Sequence, residues 1–488
     1  MKKFVIVLVF AMISAGTARI QAFGPEGIKY APSAPKFTDA ERHAELAARR
    51  AAVAAQMADN SIMVMFSAEP RIYTNDVDYV LRQENNIYYL TALKQANLML
   101  VIRKSGGKVT ETVYLPKRNP QFETWNGKMY SNEDAVRLSG IRNIVDAKER
   151  PAFLQSLKDH SDKTITKVYL LLPEVETDND GKREFRQEEA FSRSLTGYQV
   201  ENSQPIFADL RHIKSPYEIK LLQHAIDITT EAHMRSWATA GNLSMEYEVQ
   251  AEVEYTFRRR NADYWGYPSI VGCGPNATTL HYEESQGPVT KGALLLMDVG
   301  AEYDHYTADV TRTFPVNGKF TKEQADIYQI VYNAQEAVAR ATKPGVTMAE
   351  LGAVADRVII DGLFDLGLIT DKNSPQYRMW YMHGLGHWLG MNVHDVGRYG
   401  VPLKAGMVFT NEPGIYIRED ALDYLPDTPA NKAFLAKVRP AFEKYKSIGV
   451  RIEDDMLVTP TGVEWMTRSL PRKISEIEAF MASKPSVR

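Results

Sequence analysis

Apolar positions along this chain come in two styles. Some form short continuous runs, as in buried strands; others return every three or four residues, as on one face of a helix. The N-terminal part alternates the two. A charged, Ala-rich stretch over 38–57, capped by Thr38 or Asp39, predicts a helix. Runs at 61–66 (SIMVMF), 98–102, 112–115 and 168–172 (VYLLL) predict strands, with Gly106 and Gly107 turning the chain between the second and third. Helices between short apolar strands imply an α/β unit. From about residue 206 the order changes. Ser215 and Pro216 open a long helix to about 238, with Glu218 in its first turn, and a second helix covers 244–261. Strands are expected at 269–271, 293–299 and 307–313, and helices at 322–342 and 348–366. Strand and loop should follow, with strands at 408–411, 414–417, 450–453 and 456–459. Helices grouped with antiparallel strands read as α+β. The chain thus divides into an N-terminal α/β domain over 23–205 and an α+β domain over 206–480.

The first residues fit neither unit. Lys2 and Lys3 precede an apolar run over 4–13, and Ala15, Gly16 and Ala18 follow. This is the layout of a secretory signal peptide, and the run is short of the ~20 apolar residues that span a bilayer. Residues 1–22 are assigned to it, with cleavage after Ala18 or Ala22 and a secreted or periplasmic protein as the result. A polar, Pro-containing linker over 24–36 comes next.

Composition narrows the partners. At 488 residues, with 44% hydrophobic and 24% charged side chains, two or three ordinary globular domains are expected. A formal net charge of −3, from 58 basic and 61 acidic residues, leaves no one-signed surface for nucleic acid. Cys273 is the only cysteine, so no internal disulfide can form.

Candidate chemistry concentrates in the second unit. Asp298 ends the apolar run over 294–297, and Asp309 lies eleven residues on in Ala-Asp-Val-Thr, a spacing that a hairpin can close. His383, His387 and His394 fall within twelve residues of one another, out of ten histidines in the chain. They do not form the HExxH zincin motif. Glu412 sits beside Pro413-Gly414, and Glu453 lies in a strand-like context where an unpartnered carboxylate is costly to bury. Four carboxylates and one imidazole form a hard donor set that favours Mn²⁺, Mg²⁺ or Co²⁺-like ions. The four negative charges match two divalent cations, and hydrolytic sites hold such pairs about 3.5–4 Å apart.

The order Asp298, Asp309, His387, Glu412, Glu453 resembles the pita-bread metallopeptidases. The segments MDVGAEYDHYTADVTRTFPVNGKF, HGLGHWLGMNVHDVG, NEPGIYI and GVRIEDD are similar to the Xaa-Pro aminopeptidase (aminopeptidase P) and prolidase branch, as are IKSPYEIKLLQHA and IVGCGPNATTLHY. In the N-terminal unit LRQENNIYYLTAL resembles the non-catalytic domain of aminopeptidase P. The resemblance covers roughly residues 40 to 475. It implies a pita-bread catalytic domain and two divalent metals, manganese first and cobalt or zinc as alternatives. Asp298 would chelate one metal, His387 and Glu412 the other, and Asp309 and Glu453 both. His383 and His394 would hydrogen-bond the scissile carbonyl, Arg451 would orient its neighbouring carboxylate, and His281 would line the proline side of the cleft. The implied activity releases the N-terminal residue from peptides with proline second. Xaa-Pro dipeptidase is the alternative, and a non-catalytic pita-bread binding protein or a creatinase-like amidino hydrolase would lack the five ligands. A homodimer or homotetramer is implied. Two departures stand out: Asn411 precedes Glu412 where close relatives are often apolar, and residues 418–448 are longer than in compact bacterial aminopeptidase P enzymes, which bears on substrate length.

Overall fold

A computed structural model describes residues 27–173, 185–485 and 487. The signal segment assigned to residues 1–22 lies outside the described residues. The N-terminal unit is a six-stranded mixed sheet: β1 (Ser61–Phe66), β2 (Met99–Ser105), β3 (Lys108–Leu115), β4 (Ile144–Asp146), β5 (Lys167–Leu170) and β6 (Gln199–Asn202). Their order across the sheet is β4-β3-β2-β1-β5-β6. β1 is antiparallel to β2 and parallel to β5. Every residue of β1 is buried, because both faces are covered. Ile62, Val64 and Phe66 enter one apolar cluster, and Met63 and Met65 enter another on the opposite face. A continuous apolar run is what a strand covered on both faces requires. Helix α1 (Asp39–Gln56) starts on a capping box between Thr38 and Glu41, which satisfies amide groups that the first turn leaves without partners.

The second unit opens with α2 (Pro216–Thr239), whose capping box pairs Ser215 with Glu218. α3 (Glu246–Arg259) follows. Three antiparallel strands, β7 (Ile270–Cys273), β8 (Leu294–Val299) and β9 (Val310–Pro315), form one small sheet with β8 central. Helices α4 (Lys322–Ala341) and α5 (Met348–Asp365) lead to two further antiparallel groups. In the first, β10 (Val408–Asn411) pairs with the strand Asp454–Val458. In the second, β11 (Gly414–Ile417) pairs with β12 (Ile448–Arg451). Buried residues of α2 to α5 and these strands share one large core.

Between β11 and β12 the sequence predicts only strand and loop, and the structure corrects this. Residues Pro429–Tyr445 form a helix, α6, capped by Thr428. Phe434, Val438, Phe442 and Tyr445 bury its inner face in the large core, and the Tyr445 hydroxyl donates to Asp326 of α4 at 3.0 Å. Pro440 lies within this helix, and a proline inside a helical pattern reads as a breaker.

Candidate metal centre

β8 and β9 bring the two aspartates together. Asp298 lies opposite Thr311 in the β8–β9 ladder, and Asp309 immediately precedes β9. The connection is tight at Gly300, where a Cβ would stand 1.9 Å from the Ala308 carbonyl oxygen, so only glycine fits. The hydroxyl of Tyr267 lies 2.6 Å from Oδ1 of Asp298 and 2.6 Å from Oδ1 of Asp309. A phenol has one proton, so it donates to one carboxylate at a time.

His387 and Glu412 come from chain segments that cross at Thr410. The His387 amide donates to Thr410 Oγ1 at 3.0 Å, and the Thr410 amide donates to the His387 carbonyl at 2.9 Å. Gly386 makes the crossing possible, since a Cβ there would meet the Thr410 carbonyl oxygen at 1.9 Å. Thr410 Oγ1 in turn donates to Glu412 Oε1 at 3.0 Å. His387 Nδ1 is 3.2 Å from the Trp388 carbonyl, which can only accept, so Nδ1 carries the proton and donates the hydrogen bond. That fixes the tautomer and turns Nε2 toward the carboxylates, 3.2 Å from Asp309 Oδ2 and 3.4 Å from Glu412 Oε1.

Glu453 follows β12 and is buried. It accepts a short hydrogen bond from Thr311 Oγ1. Ligand atoms of Asp309, His387 and Glu453 all lie within 4.8 Å of one another. Arg451 spans the far side: Nη2 binds Asp298 Oδ2, Nη1 donates to the Tyr416 hydroxyl at 2.9 Å, and Nε donates to Thr311 Oγ1 at 3.1 Å.

The electrostatics fit a cation centre. Burial pushes Glu412 up to about 7, with the charge of Asp309 adding to the effect. Burial also raises Asp309 and Glu453 above the ordinary carboxylate range. Burial acts to lower His387, but the hydrogen bond and charge of Asp309 reverse this and raise it to about 9. Converging buried carboxylates hold protons unless a cation balances them. Oxygen donors with a single imidazole suit a hard divalent ion, so the residues present fit a metal centre.

The remaining sequence-predicted residues surround this cluster unequally. His383 Nδ1 is 2.8 Å from the Gly384 carbonyl, and its Nε2 is 2.8 Å from the Tyr416 hydroxyl. The carbonyl needs a donor, so Nε2 is left as acceptor and both ring nitrogens are engaged. Burial and the nearby Arg451 push His383 down to about 4. His394 packs edge-on against His387, with ring centroids 4.2 Å apart. Among the described residues it has no hydrogen-bond partner. Desolvation, then the charges of His387 and His281, hold its pKa down at about 4. His281 is exposed.

Sequence reasoning missed Tyr267, Tyr416, Thr311 and Thr410. Each is a neutral hydroxyl whose role appears only once four distant segments meet. The structure shows how tightly Tyr416 is seated: at Gly414 a Cβ would meet the Tyr416 hydroxyl at 2.4 Å.

Comparison with known proteins gives a consistent picture. Residues 220–460 match Metallopeptidase family M24, and residues 46–166 match Aminopeptidase P, N-terminal domain. The chain is 37% identical over 447 residues to a Xaa-Pro aminopeptidase of Haemophilus influenzae, covering 90% of this chain and 97% of that protein. It is 30% identical to the human Xaa-Pro dipeptidase, over 88% of this chain and 90% of that one. Among solved structures, aminopeptidase P from Escherichia coli superposes with a TM-score of 0.79 at 33% identity, covering 92% of this chain and 99% of the other.

Proposed function

The chain belongs to metallopeptidase family M24, and from that membership we propose that it releases the N-terminal residue from peptides with proline at the second position. The observation that supports this reading is the grouping of Asp309, His387 and Glu453 ligand atoms within 4.8 Å, with Glu412 3.4 Å from His387 Nε2 and Asp298 joined to Asp309 through the Tyr267 hydroxyl. The aminopeptidase P N-terminal domain and the higher identity to a Xaa-Pro aminopeptidase favour this over a dipeptidase.

In this reading Asp298 would help hold one divalent ion, His387 and Glu412 a second, and Asp309 and Glu453 would contribute to both, supplying a pair of Lewis-acidic cations. Manganese suits the oxygen-rich donor set, with cobalt or zinc as substitutes; a zinc-substituted form of the Escherichia coli enzyme is among the structural relatives. Bound in a pair, such ions act as Lewis acids and supply a nucleophile at neutral pH. The protein's own groups do the rest. Arg451 fixes the Asp298 carboxylate, and Thr311 and Thr410 orient Glu453 and Glu412. Of the two histidines proposed for the scissile carbonyl, His394 has its ring free to donate to the developing oxyanion. His383 is engaged with Tyr416 and holds the Tyr416–Arg451 pair. His281, exposed and near enough to His394 for its charge to act there, would line the side that takes the proline ring. A homodimer or homotetramer and an exported mature chain beginning near Arg19 or Phe23 complete the proposal; no described helix is long and apolar enough to cross a membrane.

The test is kcat/KM for Ala-Pro-Ala over Ala-Pro on one Mn²⁺-loaded sample. The aminopeptidase reading expects a ratio well above one, with alanine released. A ratio well below one, with no alanine released from longer peptides, makes the protein a dipeptidase. Comparable cleavage of Ala-Ala-Ala removes proline specificity from both readings.

A further inference from the structure

His394 sits on a short loop between two glycines, Gly390 and Gly397. The loop is held from outside its own domain. Arg82 of the N-terminal unit donates through Nη2 to the Met391 carbonyl at 2.8 Å, and Asn85 Nδ2 donates to Asn392 Oδ1 at 2.8 Å. Asp395, the residue after His394, points into a buried ion cluster. Its Oδ1 binds Arg211 Nη2, and its Oδ2 lies 3.5 Å from Lys214 Nζ. Arg211 and Lys214 stand at the junction of the two units, and Arg211 Nη1 also donates to Asn86 Oδ1 of the N-terminal unit at 2.8 Å. The side chains of Arg211, Lys214 and Asp395 are 2%, 1% and 1% exposed, so the cluster is sealed from solvent.

Two glycines show how closely the loop is packed, the first of them against this cluster. At Gly390 a Cβ would stand 2.2 Å from Asp395 Oδ2 and 3.1 Å from Lys214 Cε. At Gly397 a Cβ would stand 2.6 Å from the Trp388 ring. Both glycines admit groups that any side chain would displace. A buried ion cluster is weak evidence for stability, since desolvation offsets much of the attraction, but it fixes geometry closely. What it fixes here is the backbone on each side of His394, whose ring makes no hydrogen bond among the described residues that would orient it.

The geometry points to Asp395 as a positioning residue for His394: clamped by Arg211 and Lys214, with Asn392 held by Asn85, it lets the N-terminal unit set the imidazole against the substrate carbonyl. This rests on the reading of His394 as the carbonyl donor. A donor must stand at about 2.7–3.1 Å from the developing oxyanion, so a small loop displacement lowers turnover more than substrate binding.

The test is a set of double-mutant cycles on Ala-Pro-Ala with the Mn²⁺-loaded full chain. His394→Ala is measured first; activity near the parent level overturns both the reading of His394 and the proposal. With His394→Ala impaired, Asp395→Asn is expected to lower kcat about tenfold, with KM changed less than threefold and metal content unchanged. The same substitution should cost less than twofold further in the His394→Ala background, yet its full tenfold in a His383→Ala background. Equal losses in all three backgrounds would show a purely structural role and overturn the proposal while leaving the His394 reading intact. Asn392→Ala, which removes only the Asn85 contact, gives the same test should Asp395→Asn not fold. Its expected threefold loss of kcat should vanish in the His394→Ala background, and a loss that persists there overturns the proposal.

Discussion

Replacing Tyr267 with phenylalanine removes one hydroxyl from the centre and leaves a ring of the same shape. That hydroxyl is shared between Asp298 and Asp309 at 2.6 Å each, and burial with the two aspartate charges drives its pKa far above the usual phenol range. It therefore stays a donor at every working pH. A hydrogen bond to a charged acceptor contributes about 1.5–3 kcal/mol, and each 1.4 kcal/mol is tenfold in an equilibrium constant. The expected loss of metal affinity is thus roughly 10–100-fold, the range seen when a group that orients a metal ligand is removed. The assay is equilibrium dialysis against Mn²⁺ with elemental analysis, alongside activity as a function of free Mn²⁺. Tyr267→Phe should shift both curves to higher metal by the same factor and recover most of the parent turnover at saturation. Metal affinity within twofold of the parent would refute the argument that this phenol organises the aspartate pair.

Two other substitutions test separate claims. Glu453→Ala removes a carboxylate proposed to lie between the metals, and turnover should fall by at least ~10³-fold; kinetics within tenfold of the parent would show that Glu453 is not a ligand. Glu188 lies far from that centre, in the N-terminal unit, where burial pushes its carboxyl up to about 8. Its native state binds the proton more tightly than the unfolded chain, so the resulting stability is complete below about 4.5 and is lost as pH rises toward 8. Glu188→Gln cannot ionise and should gain stability relative to the parent across that window, by at most about 1.4 kcal/mol per pH unit. A difference in Tm that stays constant from pH 5 to 8.5 would contradict this.

Much of the architecture was legible because the strong signals were local. The run at 61–66 read as a strand covered on both faces, and the Ser215–Glu218 capping box marked the start of α2. Ligand-type residues were legible because Asp298, Asp309, His387, Glu412 and Glu453 fall in recognisable segments; ligand atoms of Asp309, His387 and Glu453 lie within 4.8 Å of one another, with Glu412 beside His387 and Asp298 linked to Asp309 through Tyr267. Helix α6 was hidden by Pro440 and by an inner face of only four large residues. The exposed hairpin of Ile72–Thr74 with Val77–Asp78 was hidden because it buries none of its side chains and so leaves no alternating pattern. The hydroxyls of Tyr267 and Tyr416 were illegible for another reason. Their function is defined by partners 31 to 42 residues away for Tyr267, and 33 and 35 away for Tyr416, and no local pattern encodes that.

The centre draws its side chains from four stretches of chain, and the last, carrying Glu453, lies near the end of the matched family segment. Synthesis is vectorial, and earlier parts of a chain can collapse before later ones emerge. A growing polypeptide that has reached Glu412 already carries three of the carboxylates and the imidazole, yet Arg451 and Glu453 are still missing. Until they arrive, Asp298 lacks its guanidinium partner and no compact pocket can close around a cation. In the proposed two-metal reading, metal capture would therefore come late in the life of each molecule. It coincides with completion of the domain, so a chain cut short before this last hairpin should neither retain the ion nor act on peptides.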